Sequence, residues 1–167
     1  MDVRAATRDD LLQIARVADT SIWESFSELM GSAAIQVFLR RRYSPAVLKR
    51  RLLSGGILVA EDDTGRLAGF ADAEVTPDHV RLNTVVTAPS HRRRGSAAAL
   101  VRALQHRTPD LPVCLDVILG NLDGERFCES LGFVPGEVFH QDLGAEDVVV
   151  RRWWCSPVQA GRTSVVV

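Results

Sequence analysis

The spacing of apolar residues changes several times along the chain, and each change marks an element. Val3-Arg4-Ala5-Ala6 predicts a short strand, and Thr7 with Asp9 and Asp10 caps the helical spacing of Leu11, Leu12, Ile14, Ala15 and Ala18. From Ser21 to Leu53 the residues Ile22, Phe26, Leu29, Ile35, Phe38, Leu39, Val47, Leu48 and Leu52 recur at helical intervals. Breaks at Gly31 and Ser44-Pro45 divide that stretch into two or three short helices. After Gly55-Gly56, Ile57-Leu58-Val59-Ala60 predicts a buried strand, and the turn Asp62-Asp63-Thr64-Gly65 joins it to Arg66–Val75 as a hairpin. Val80–Thr87 is rich in β-branched residues and stops at Ala88-Pro89, as a central strand would. A helix from Ala97 to Leu104 and a strand from Val113 to Leu119 follow, and a helix between two strands implies a parallel crossover. Asn121–Leu131 predicts a short helix ended by Gly132, Phe133-Val134 begins another strand, and Val138–Gln141 pairs with Val148–Trp153 across Gly144.

A chain of 167 residues suits one domain, expected over residues 1–155. Residues 156–167 hold Pro157, Gly161 and small polar residues without periodicity, and are expected to form a flexible tail. At 46% hydrophobic and 25% charged, the composition excludes a disordered chain, a collagen and a coiled-coil rod. The formal charge of −1 offers no global field for nucleic acid or an anionic membrane, so an anion site must be local. No apolar run approaches the roughly 20 residues of a membrane span, so a cytoplasmic protein is expected. Cys114, Cys128 and Cys155 are odd in number and widely spaced, which indicates neither a disulfide framework nor a metal site.

The informative stretch joins the Val80–Thr87 strand to the alanine-rich helix through Ser90-His91-Arg92-Arg93-Arg94-Gly95-Ser96-Ala97. A strand–loop–helix junction of this kind aims backbone N–H groups and the positive helix end at an anion, and Gly95 and Ala97 admit close approach to the backbone. A simple link carrying three solvated arginines is the alternative.

Arg92-Arg93-Arg94-Gly95-Ser96-Ala97 resembles the signature of the GNAT superfamily of acetyl-CoA-dependent N-acyltransferases: Arg or Gln, two residues, Gly, one residue, then Gly or Ala. The resemblance extends to Val85-Val86-Thr87-Ala88-Pro89 before it, to Leu115-Asp116-Val117 before Asn121, and to Phe127 followed by Leu131-Gly132-Phe133. It implies a mixed α/β fold with a mostly antiparallel sheet of about six or seven strands, flanked by helices and containing one splayed parallel pair. It also implies that the amides of Arg92, Arg93, Arg94, Gly95, Ser96 and Ala97 hold the pyrophosphate of acetyl-CoA or another acyl-CoA. Val85, Val86 and Thr87 would bond the pantetheine arm, with the acyl carbonyl near the backbone of Val86 or Thr87. Asn121 would contact the cofactor, with a plain helix cap as the alternative, and Phe127 would pack beside the arm.

Cys128 departs from the pattern, because many family members have there a Tyr that protonates the departing thiolate; the one Tyr of this chain is Tyr43. A thiol of ordinary pKa could donate but would contribute little against a leaving group of similar basicity. Glu74 and Glu24 are the candidate bases for the incoming amine, with Asp72, Asp78, His79 and Asp116 behind them and His91 read as loop decoration. The implied function is direct transfer of an acyl group to a primary amine, with a small-molecule acceptor and no metal. A homodimer through the C-terminal hairpin is plausible. The rival reading is an acyl-CoA-binding sensor or assembly module without catalysis.

Overall fold

A computed structural model describes residues 1–144 and 146–157. Seven strands form one sheet: β1 (Asp2–Ala5), β2 (Ile57–Glu61), β3 (Leu67–Val75), β4 (Val80–Thr87), β5 (Val113–Ile118), β6 (Val134–Asp142) and β7 (Asp147–Cys155). Their order is β1-β2-β3-β4-β5-β7-β6, antiparallel throughout except for the β4–β5 pair. Five α-helices complete the fold: α1 (Leu11–Phe26), α2 (Ser32–Tyr43), α3 (Pro45–Leu53), α4 (Ser96–Arg107) and α5 (Leu122–Ser130). The expected tail over residues 156–167 lies, from residue 158 onward, outside the described residues.

The strict alternation of side chains along a strand divides the core in two. Ile57, Val59, Phe70 and Val86 face the helices α1 to α3 and pack with Ile14, Ala18, Ile22, Ile35, Phe38 and Leu48. Leu58, Ala60, Ala71 and Leu82 face the other way, onto Leu100, Val101 and Leu104 of α4 and Cys128 and Phe133 near α5. Full burial of a side chain such as Phe70 contributes about 2–3 kcal/mol, so these layers, more than any surface pair, hold the sheet between its helices.

Two boundaries differ from the sequence reading. Helix α1 runs unbroken through Ser21, Ile22 and Trp23 to Phe26. Ser21 and Ile22 are buried within it, so the helical stretch read as ending at Ala18 and the one read as starting at Ser21 form one helix packed on the sheet. Likewise Val134 and Val138–Gln141 belong to one strand, β6, carried past Gly136 by an irregularity between Pro135 and Val138.

The start of α1 is fastened by local chemistry. Thr7 N–H and Oγ1–H donate to Asp10 Oδ2 at 2.7 and 3.0 Å, and Arg4 reaches the same carboxylate from β1 with bonds of 2.8 and 2.9 Å. The Arg4 contact outweighs burial and lowers the Asp10 pKa to about 2.

Strand β4 changes parity midway. Asp72 pairs with Thr84 but Ala73 pairs with Leu82, so Asn83 is an extra residue, a β-bulge on β4. Leu82 accordingly faces the α4 layer with Val80, whereas Val86 faces the α1 layer. Pairing of β4 with β5 covers only Val80–Leu82 against Val113–Leu115 and ends at the bulge. Beyond it the two parallel strands separate.

Candidate active site

The separation opens a cleft of about 950 Å³ whose walls are β4 from Arg81 to Thr87, β5 from Leu115 to Ile118, the C-terminal part of α1 and the start of α5. Backbone polarity follows from the ladder. Ala88 N–H donates to Ala68 O at 2.9 Å, so Val86 and Thr84, two and four residues back, also bond β3. The N–H and C=O groups of Val85 and Thr87 therefore point away from β3, toward β5, where no strand remains to meet them. On the other wall Leu119 N–H donates to Val149 O, which leaves the Ile118 N–H aimed at the gap. This corrects the expectation for one amide: the Val86 N–H belongs to the sheet, and the gap donors on β4 are those of Val85 and Thr87. Thr87 O is already taken by the Ser21 hydroxyl at 3.0 Å.

The loop after β4 has the dihedral angles that suit an anion cradle, as well as the composition. Arg93 adopts φ 60° and Gly95 φ 83°, two left-handed residues that turn successive amides to one side. Gly95 is also the residue before the first turn of α4, and a Cβ there would meet open space, so its requirement is conformational. Among the described residues no protein acceptor meets the N–H groups of residues 93–98; the first bonded amide is that of Ala99, donating to Gly95 O at 2.9 Å. Several convergent orphan donors at a helix start fit a phosphate group.

Each remaining candidate takes a definite place. Arg92 reaches Glu24 Oε2 at 2.6 Å, and both side chains are nearly half exposed on the cleft rim. Glu24 is thus inside the cleft but paired. Glu74 is not brought in: it stands exposed near the end of β3, opposite Arg81, and does not line the cleft. Asn121 Oδ1 accepts from Gly124 N–H at 3.1 Å, so it caps α5 while also lining the cleft. Phe127 lines the cleft and packs on the α4 side of the core. Cys128 is fully buried, and burial, aided by Glu125 and Glu129, pushes its thiol up to about 12.

Sequence reasoning missed the roles of several residues. His91 is no decoration: it is buried, with Nε2 2.9 Å from Asp62 Oδ2 and Nδ1 2.9 Å from Ser90 Oγ, and it ties the cradle to the β2–β3 turn. Tyr43, at the end of α2, donates from its buried hydroxyl to Thr84 Oγ1 at 2.6 Å, and Thr84 donates in turn to Asn83 O at 2.7 Å. Burial raises the Tyr43 phenol to about 12, so it is a neutral donor that fastens the bulge. Asp116 is held by Arg152 through bonds of 2.7 and 3.0 Å and by Arg81 at 2.9 Å. On β3, Asp72 is buried in ion contact with Arg51, and burial lifts its carboxyl to about 6 against the pull of Arg51 and Arg42. The contacts of His91 with Asp62, of Tyr43 with Thr84, of Asp116 with its arginines and of Asp72 with Arg51 join residues far apart in the sequence and leave no local signal.

A bulged strand splaying from a parallel neighbour, with unpaired amides at its end, leaves a cleft long enough for an extended ligand with an anionic group at one end. A sequence model of the acetyltransferase (GNAT) family matches residues 21–133, more than half of the chain. The chain belongs to this family of acyl-CoA-dependent N-acyltransferases. Among solved structures it resembles the PaiA N-acetyltransferase of Thermoplasma acidophilum in complex with coenzyme A: 19% identity, TM-score 0.75, covering 90% of this chain and 96% of that one. It also resembles a GCN5-related N-acetyltransferase of Rhodopseudomonas palustris, at 19% identity and TM-score 0.77, with coverage of 93% and 94%. A third is Chaetomium thermophilum Naa20 in complex with a bisubstrate analogue, at 18% identity and TM-score 0.70, with coverage of 94% and 86%. None of the curated proteins matches the chain. No described helix is long and apolar enough to cross a membrane, and the described residues contain no cluster suited to a metal ion.

Proposed function

We propose that this protein transfers an acetyl group from acetyl-CoA to the neutral amine of a small molecule by direct attack, both substrates sharing the one cleft. The observation that carries the reading is the set of unpaired donors: residues 93–98 for the diphosphate, and Val85 and Thr87 for the arm and its thioester. The bound thioester supplies an activated acyl carbonyl and a thiolate leaving group. The exposed N–H of Val85 or Thr87, fixed in direction by the bulge, stabilises the charge that develops on the carbonyl oxygen, the largest contribution in acyl transfer of this kind. The Tyr43–Thr84–Asn83 chain holds that bulge and hence that direction.

The amine enters neutral, its ammonium proton lost to solvent, and the proton its nitrogen releases after attack goes to the departing thiolate or to water. Of the four carboxylates lining the cleft, Glu24 and Asp116 are ion-paired, Asp123 stands beside Arg126 on α5, and Glu28 is exposed at the rim. No Cys–His or Ser–His dyad appears in the cleft lining, which favours a ternary complex over an acyl-enzyme. The bisubstrate analogue bound to Naa20 supports an arrangement with both substrates in place together.

Initial rates of thiol release, measured with acetyl-CoA and a panel of primary amines, test this. Intersecting double-reciprocal lines are expected. Parallel lines would overturn the direct attack, and tight coenzyme A binding with no turnover on any amine would favour the non-catalytic module.

A further inference from the structure

The acceptor half of the cleft carries positive charge that the fold does not neutralise. Arg42, at the end of α2, is half-buried and lines the cleft with its guanidinium 5.1 Å from the centre of the Phe38 ring. Among the described residues it has no ion pair. Asp72, whose carboxyl its charge reaches, is already in contact with Arg51, and Asp116 is engaged by Arg81 and Arg152. A side lobe of about 270 Å³, lined by Phe38, Arg41, Arg42, Asp142, Leu143 and Gly144, shares Phe38, Arg42 and Leu143 with the cleft. Its one carboxylate, Asp142, accepts the Gly144 N–H at 2.6 Å through Oδ1 and stands exposed at the rim. Two guanidiniums therefore border the lobe against one engaged carboxylate, and the Phe38 ring favours a cation parked over its face.

We infer that the acceptor carries, besides its amine, an anionic group that docks on Arg42 in this lobe. The inference rests on reading the cleft as an acyl-transfer site and names the substrate class within it. The geometry suits a carboxylate or phosphate, which a guanidinium fork binds with two parallel N–H···O bonds. The apolar Ile22, Phe26, Leu29 and Val150 line the same cleft and suit a hydrocarbon portion between the two polar ends. A polycationic acceptor is disfavoured by the same charges.

The test uses matched amines with acetyl-CoA: phenylalanine against phenethylamine, leucine against isoamylamine, and O-phosphoethanolamine against ethanolamine. The anionic member of at least one pair is expected to show the higher kcat/KM, and the carboxylate and phosphate arms identify which anion is used. Arg42→Gln should lower kcat/KM for that member about 10- to 100-fold, the loss of one charge-assisted contact, and leave its neutral partner and the KM for acetyl-CoA within about twofold. Arg42→Lys should restore part of the loss. Equal use of both members of every pair, or equal loss on both in Arg42→Gln, would overturn the inference and leave acyl transfer standing. Calorimetry with coenzyme A and N-acetylphenylalanine or N-acetylphenethylamine reads the anion contact without turnover. If no amine is acetylated while Arg42→Gln weakens the carboxylate-bearing product alone, the acyl-transfer reading fails and the anion site remains.

Discussion

Cys128 shows how a single side chain changes meaning between sequence and structure. Its position in the family pattern suggests an acid, but a fully buried thiol raised to about 12 holds its proton more tightly than a departing thiolate of ordinary basicity. Protonating the leaving group from it would be uphill. Cys128→Ala is therefore expected to keep turnover within about threefold, at the cost of a small cavity worth about 1 kcal/mol of stability. A loss of 100-fold in kcat with the denaturation midpoint unchanged would show that the thiol does act as the acid. Glu24 carries the converse lesson: it lines the cleft, but a partner far along the chain, Arg92, occupies it. A carboxylate visible in the sequence is a candidate; its neighbours decide whether it is available.

Among the elements, β4 concentrates the residues of the proposed site. Its β-branched composition and its stop at Ala88-Pro89 were legible, as was the helix that follows, because both depend on residues adjacent in the chain. The bulge at Asn83 was not legible: it exists only as a mismatch between β3 and β4, and Tyr43 fastens it from α2. Its consequence is an alternation that hydrogen exchange can read. In the free protein the Val86 amide should exchange slowly, while those of Val85, Thr87 and residues 93–98 exchange fast. Coenzyme A should protect Val85 or Thr87 and the cradle amides, with Val86 unchanged. Protection of Val86 by coenzyme A from a fast-exchanging state would disprove the assigned ladder.

For the molecule as a whole, the Arg51–Asp72 contact ties α3 to strand β3 of the sheet. Asp72 titrates near 6 in the fold against about 3.8 unfolded, so between those values the folded state binds the extra proton. This contribution is complete below about pH 4 and is lost as the pH rises through 6, by about 2–3 kcal/mol in all. Asp72→Asn removes the titration. The stability difference, wild type minus variant, should therefore fall from pH 4 to pH 6 in urea unfolding and stay level above pH 7. A flat difference across that range would place the Asp72 carboxyl in water rather than in the core.

What the sequence by itself determined is the order of strands and helices, the α/β class and the strand–loop–helix junction after β4, since hydrophobic period, turn residues and a six-residue signature are written in neighbouring positions. Tertiary structure alone decided which β4 amides are free, which carboxylates are already neutralised and which described arginines remain without an ion pair. Those outcomes turn on desolvation and on pairing between residues distant in the chain, and an ionisable side chain has no fixed role until the fold has chosen its partner.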